Sequence, residues 1–138
     1  MIVLVRHASA GDPDAWEGDD RLRPLDGRGR RQAEQLVELL APYELTRILT
    51  SPALRCVQTV EPLAHARGLA IEVRDELAYE RQELDGAPLV RSVERDDVAI
   101  ACHAGLSEAV CGESQKKAEA LVLDGDRVAQ RLRAKGKK

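Results

Sequence analysis

The apolar positions along the chain fall into two alternating patterns. Residues 2–5 (IVLV) and 98–102 (VAIAC) are unbroken aliphatic runs, the pattern of strands buried on both faces, which belong to parallel sheets. Residues 47–50 (RILT) and 70–73 (AIEV) are shorter runs of the same kind. Between them Ala33, Leu36, Val37 and Leu40 recur at helical spacing until Pro42, which predicts an amphipathic helix over 29–41 that starts in the turn of Gly27 and Gly29. Ser51 followed by Pro52 has the form of an N-cap with proline at the first helical position. The helix predicted from there runs to about Arg67, with Gly68 as its C-cap and Pro62 kinking or splitting it. His103, Ala104 and Gly105 turn from the 98–102 strand into a short helix. Residues 118–123 and 127–132 flank Asp124, Gly125 and Asp126, which predicts a hairpin. Between Glu76 and Arg95 the pattern weakens to a loop with at most one short helix.

Strands alternating with helices imply right-handed crossovers and a single-domain, three-layer α/β/α fold around a mainly parallel sheet. The length of 138 residues suits one domain with a real core. That domain is expected over 1–132, with 133–138 as a basic, frayed tail.

Composition narrows the partners. The chain carries 21 Lys and Arg against 24 Asp and Glu, a net charge of −3 spread along its length, and only 2% aromatic residues with no Phe. Neither a nucleic-acid nor a membrane partner is expected. The apolar runs fall far short of the roughly 18 residues that a membrane span requires. The N-terminus has no signal-peptide pattern, so a cytoplasmic location is the expectation. Cys56, Cys102 and Cys111 show no CxxC spacing and read as reduced, mostly buried thiols.

The candidate chemistry stands directly after three of the predicted strands: Arg6 and His7 after the first, Ser51 and Arg55 after the second, His103 after the fourth. In a parallel sheet these are carboxyl ends, where open α/β folds bind ligands. Two arginines and two histidines with no Cys, Asp or Glu at ligand spacing make a poor metal site, because guanidinium charges repel a cation. They make a good anion site, since arginine forks match phosphate oxygens and a helix N-terminus adds backbone N–H groups. No cofactor or metal is expected. A neutral imidazole is able to attack phosphorus directly and give a phosphohistidine that water hydrolyses. For that, the other ring nitrogen of His7 must be held by a carbonyl.

The segments LVRHASAG at 4–11, RPLDGRGRRQA at 23–33, SPALRCVQTVEPLA at 51–64 and IACHAG at 100–105 together resemble the histidine phosphatase superfamily, and more narrowly its short SixA-type phosphohistidine phosphatases. The order and spacing match over most of the chain. The RHASAG opening with Trp16 and RPLD is also similar to the phosphatase-like domain fused to some bacterial Nudix hydrolases. Because Met1 leads straight into the strand, no Nudix partner is expected. The resemblance implies a phosphoglycerate mutase-like fold, His7 as the phosphorylated nucleophile, Arg6, Arg55 and His103 as the phosphate pocket, and Arg23 at its rim. The family's usual Arg-His-Gly stands here as Arg6-His7-Ala8.

The larger members carry a general-acid carboxylate on an inserted segment; Glu80 and Glu76 are the candidates here, with Asp12 third. A phosphoramidate leaves without a strong acid, and the short 76–95 segment leaves little lid over a protein substrate. The implied function is removal of phosphate from phosphohistidine in proteins by a metal-independent phosphatase. Hydrolysis of phosphomonoesters in small metabolites or nucleotides is the alternative, and a non-catalytic phosphate-binding module the third. The partner is accordingly a phosphorylated protein or a small phosphorylated substrate. His65 reads as a surface or packing histidine, and Arg28, Arg30 and Arg31 as a solvated helix start.

Overall fold

The computed structural model describes residues 1–137. Six strands form one sheet: β1 (Ile2–Arg6), β2 (Arg47–Thr50), β3 (Ile71–Val73), β4 (Val98–Cys102), β5 (Glu119–Asp124) and β6 (Arg127–Arg133). Their order is β3-β2-β4-β1-β5-β6. The first four are parallel, while β5 runs antiparallel to β1 and β6 antiparallel to β5, as a hairpin requires.

β1 and β4 are central, and their unbroken apolar runs are buried on both sides. Alternation along each strand divides the core. Val3, Val5, Ile48, Ala99 and Ala101 pack with Leu36 of α1 (Gly27–Leu39) and Leu63 of α2 (Leu54–Arg67). Ile2, Leu4, Leu49, Val98 and Ile100 pack on the opposite face with Leu89 of α3 (Ala87–Ser92) and Leu106 of α4 (Leu106–Cys111). The expected three-layer arrangement is the observed one. Truncating a fully buried leucine such as Leu36 to alanine is worth about 2–5 kcal/mol in such a core.

Several sequence expectations need correction. α1 begins at Gly27, earlier than its apolar spacing suggests, because the Asp26 carboxylate caps it by accepting from Gly29 N at 2.7 Å. α2 begins at Leu54 with Ala53 as N-cap and no side-chain cap. Ser51, expected in that role, lies two residues before that N-cap, where its Oγ accepts from His103 Nε2 at 2.8 Å and from Ala53 N at 3.3 Å. Pro62 does not split α2, which runs unbroken to Arg67 and ends at Gly68 in the left-handed conformation, φ 64°. A proline removes only one ladder bond, and the packing of Val60, Leu63 and Ala64 offsets that loss.

The segment expected as a loop holds a 3₁₀ turn at Asp75–Leu77, a π-helical turn at Gln82–Gly86 and then α3. Residues 134–137 of the tail expected to fray instead lie along α1, while Lys138 is outside the described residues. Arg28 Nε donates to Lys135 O at 3.1 Å, Arg31 Nε to Gly136 O at 2.8 Å and Gln35 Nε2 to Lys137 O at 3.0 Å, while Ala134 is buried. Its basic composition concealed that these contacts use backbone carbonyls, not side-chain charge. No helix among the described residues is long and apolar enough to cross a membrane.

Candidate active site

The strand order sets β4 between β2 and β1, so the three segments that leave their carboxyl ends converge on one edge. The register pairs Arg6 with Cys102 and Thr50 with Ala101. His7 N continues the ladder to Cys102 O at 2.9 Å and Ser51 N to Ala101 O at 3.1 Å. His7 and His103 therefore emerge side by side, ring centroids 5.7 Å apart and inclined at 66°.

His7 is 7% exposed, and its Nδ1–H donates to Ala8 O at 2.8 Å. That bond fixes the tautomer, leaving the Nε2 lone pair free. Burial is the main cause that lowers the His7 pKa to about 4; Arg55, Arg6 and Lys117 push in the same direction against the Ala8 carbonyl. The ring is neutral at pH 7. The main chain of the loop is held just as firmly: Ala8 N donates to Thr59 Oγ1 at 2.9 Å, and Ser9 N to Gln32 Oε1 at 2.8 Å.

His103 lies between Ser51, Arg55 and Tyr79. Arg55 Nη2 is 3.4 Å from its Nδ1. A guanidinium only donates, so Nδ1 accepts and Nε2 carries the proton, which it donates to Ser51 Oγ at 2.8 Å. Burial first, then the charge of Arg55, lowers the His103 pKa to about 3. Its backbone N–H donates to Gln82 Oε1 at 3.2 Å, and Gln82 Nε2 donates to Ala104 O at 2.7 Å, so the π-helical turn clamps the His103 loop.

Arg6 and Arg55 complete the cluster. Arg6 Nη1 donates to Gln115 O at 2.8 Å, and Arg55 Nη1 to Asp20 O at 2.9 Å. In both arginines Nε is buried with no hydrogen-bond partner among the described residues. Buried, unpaired guanidinium N–H groups beside a neutral imidazole suit an oxyanion ligand. A cavity of about 260 Å³ opens on the His103 and Arg55 side of the cluster, lined also by Asp20, Ser51, Tyr79 and Glu80. Among the described residues no three His, Cys, Asp or Glu side chains gather as metal ligands would.

The remaining sequence candidates divide. Glu80 stands in the cavity wall. Glu76 does not: its carboxylate faces Arg74 at 3.8 Å, drawn to the nearest cation on its own turn. Asp12 is also away from the cluster, capping a 3₁₀ turn through Asp14 N. Arg23 was expected at the rim but is 7% exposed, with Nη1 donating to Ala10 O and Nε to Asp20 Oδ1 at 2.6 and 3.0 Å. Cys56 and Cys102 are buried thiols, and desolvation pushes Cys56 up to about 12.

The sequence reading missed Asp20, Thr59, Tyr79, Gln82 and Gln115. Only Thr59 left a signal, four residues after Arg55 on one helix face, where its hydroxyl donates back to Arg55 O at 2.7 Å.

The family model of the histidine phosphatase superfamily (branch 1) matches residues 2–88. The chain belongs to the histidine phosphatase superfamily. Its fold is that of the SixA-type histidine phosphatases: the SixA protein of Agrobacterium tumefaciens, assigned as a phosphohistidine phosphatase, superposes with a TM-score of 0.81 at 28% identity, over 95% of this chain and 96% of that one. A protein histidine phosphatase SixA solved with tungstate shares the fold, with a TM-score of 0.78 at 21% identity over 96% of both chains. An 8-oxo-(d)GTP phosphatase of Mycolicibacterium smegmatis is 49% identical over 63 residues, 46% of this chain. This histidine phosphatase chain spans 20% of that curated relative's length.

Proposed function

We propose that the protein is a metal-independent phosphatase that forms a phosphohistidine on His7 and acts on phosphohistidine in proteins. The observation that carries this reading is the His7 ring, neutral and with Nδ1–H tied to Ala8 O at 2.8 Å, beside two arginines with unpaired buried Nε groups. In the first step His7 Nε2 forms a bond to phosphorus as the bond to the leaving nitrogen breaks, and that nitrogen takes a proton from solvent or Glu80. In the second step water attacks phosphorus, its proton is lost to solvent, orthophosphate departs and the electron pair of the P–N bond returns to Nε2. Arg6 and Arg55 stabilise the oxygens throughout. A bound phosphoryl dianion reverses the local field at His103 and favours an Nδ1 proton there, which lets His103 donate to the same oxygens.

An imidazole leaves readily once protonated. Glu80 is exposed, so the site supports an activated leaving group better than an alkoxide. Tyr79, 65% exposed in the cavity wall beside His103, suits contact with a protein surface. The 49% identity over 63 residues with the 8-oxo-(d)GTP phosphatase favours a second reading, hydrolysis of a small phosphorylated nucleotide.

The test compares wild type, His7→Ala and Glu80→Gln on a phosphohistidine protein, an aryl phosphate and a nucleotide, with and without chelator. The expected result is turnover of the phosphohistidine protein that chelator leaves unchanged and Glu80→Gln changes little. His7→Ala should lower it about 10³-fold or more. Unchanged turnover in His7→Ala overturns the nucleophile, and loss in chelator overturns the metal-free route. Preference for the nucleotide moves the assignment to the second reading.

A further inference from the structure

Arg23 and Arg55 are buried to 7% and 4% exposure, and a buried guanidinium requires a counter-charge. Among the described residues both have the same carboxylate partner: Asp20 Oδ1 lies 3.0 Å from Arg23 Nε and Asp20 Oδ2 lies 3.1 Å from Arg55 Nη2. The Asp20 side chain is itself 56% exposed and stands in the wall of the cavity that holds His103 and Arg55. We propose that Asp20 is an exchangeable counter-ion of the phosphate pocket, competing with the phosphoryl group for Arg55. Substrate displaces the carboxylate into solvent, and the returning carboxylate helps displace the orthophosphate product.

Three features support exchange over permanent pairing. A carboxylate and a phosphoryl dianion on one guanidinium repel each other, and the Arg55 Nη2 that Asp20 holds is also the nitrogen beside His103 Nδ1. A half-exposed carboxylate regains hydration on rotating outward, so its release costs little, whereas Arg55 has no such path to water. The main chain stays in place meanwhile: Asp20 O accepts from Arg55 Nη1 at 2.9 Å and from Arg23 N at 3.1 Å, bonds independent of the carboxylate. Asp19 next to it makes a contrast, since its carboxylate pairs with the exposed Arg21 at 2.8 Å and lies outside the cavity wall.

This inference rests on the phosphate pocket proposed above, and direct binding of inorganic phosphate separates the two. Calorimetry on wild type, Asp20→Asn, Asp20→Ala and Asp19→Asn should show phosphate binding roughly three- to fivefold tighter in both Asp20 variants, the scale of one part-exposed ion pair. Asp19→Asn, with the same change in net charge, should bind as wild type does. Wild-type protein gives an independent measurement if the variants fold poorly: the Asp20 carboxyl carbon resonance should move toward its solvent-exposed position as phosphate saturates. Equal or weaker phosphate binding in the Asp20 variants, equal tightening in Asp19→Asn, or an unmoved Asp20 resonance overturns the exchange while leaving the pocket standing. A wild type that binds no phosphate overturns the pocket and the exchange together.

Discussion

His7 and His103 are bases that burial keeps uncharged, and this has a consequence for stability. The folded protein resists protonating them until about pH 4 and about pH 3, whereas an unfolded histidine takes up its proton near pH 6.5. Between those values the unfolded chain binds more protons, so folding stability is at its full value above about pH 6.5 and declines as the pH falls below it. Urea unfolding at pH 7.5 and pH 5 should show this loss, and His7→Gln/His103→Gln should flatten the slope. At the same scale, Thr59→Val leaves the Ala8 N–H without a partner and should cost about 1–3 kcal/mol. Thermal unfolding measures the loss, with turnover falling alongside if Ala8 O no longer holds His7. The placement of Arg6, His7 and His103 was legible because each stands at the end of an apolar run, and that of Arg55 because it opens the helix that follows the second strand. Asp20 and Gln115 were not, because no local pattern distinguishes them from surface residues.

At the scale of elements, the site depends on close approaches between loop and helix. A Cβ on Gly29 would stand only 2.9 Å from Ser9 C, inside contact distance, and collide with Ser9 O, so the first turn of α1 sits directly against the loop that carries His7. Gly29→Ala should destabilise the fold by about 1–3 kcal/mol, as overpacking does, and lower turnover by displacing that loop. Differential scanning calorimetry and steady-state kinetics on one preparation check both. Gly105, the N-cap of α4, has φ 106°, with a would-be Cβ 2.9 Å from Glu83 Oε1. The central strands and α1 were readable because their apolar periodicity is driven by burial. The start of α2 was misread because Ser51 is claimed by a histidine 52 positions away, a bond that no capping rule anticipates. The 75–92 turns were missed because each is too short for a period to show.

Across the whole molecule, one hydrogen-bonded path joins the C-terminal segment to the site. Ala134 O accepts from Gln32 Nε2 at 3.1 Å, and Gln32 Oε1 accepts from Ser9 N at 2.8 Å, two residues beyond His7. Ending the chain at Arg133 should lower stability by about 1–3 kcal/mol through the lost Gln32 partner and the burial of Ala134. It should also speed amide hydrogen exchange at Ser9; unchanged exchange would disconnect the tail from the loop. The sequence by itself determined the layers, the central strands and the strand-end positions of Arg6, His7 and His103, because burial periodicity and strand-end position are written locally. Tertiary structure alone decided the tautomers of the two histidines, the separation of Glu76 from Glu80, the docking of the tail and the bridging of Arg23 and Arg55 by Asp20. The His103 tautomer, the docked tail and the Asp20–Arg55 bridge each depend on a donor and an acceptor far apart in the chain, while the His7–Ala8 and Arg74–Glu76 contacts are local pairs whose side-chain directions only the folded backbone fixes.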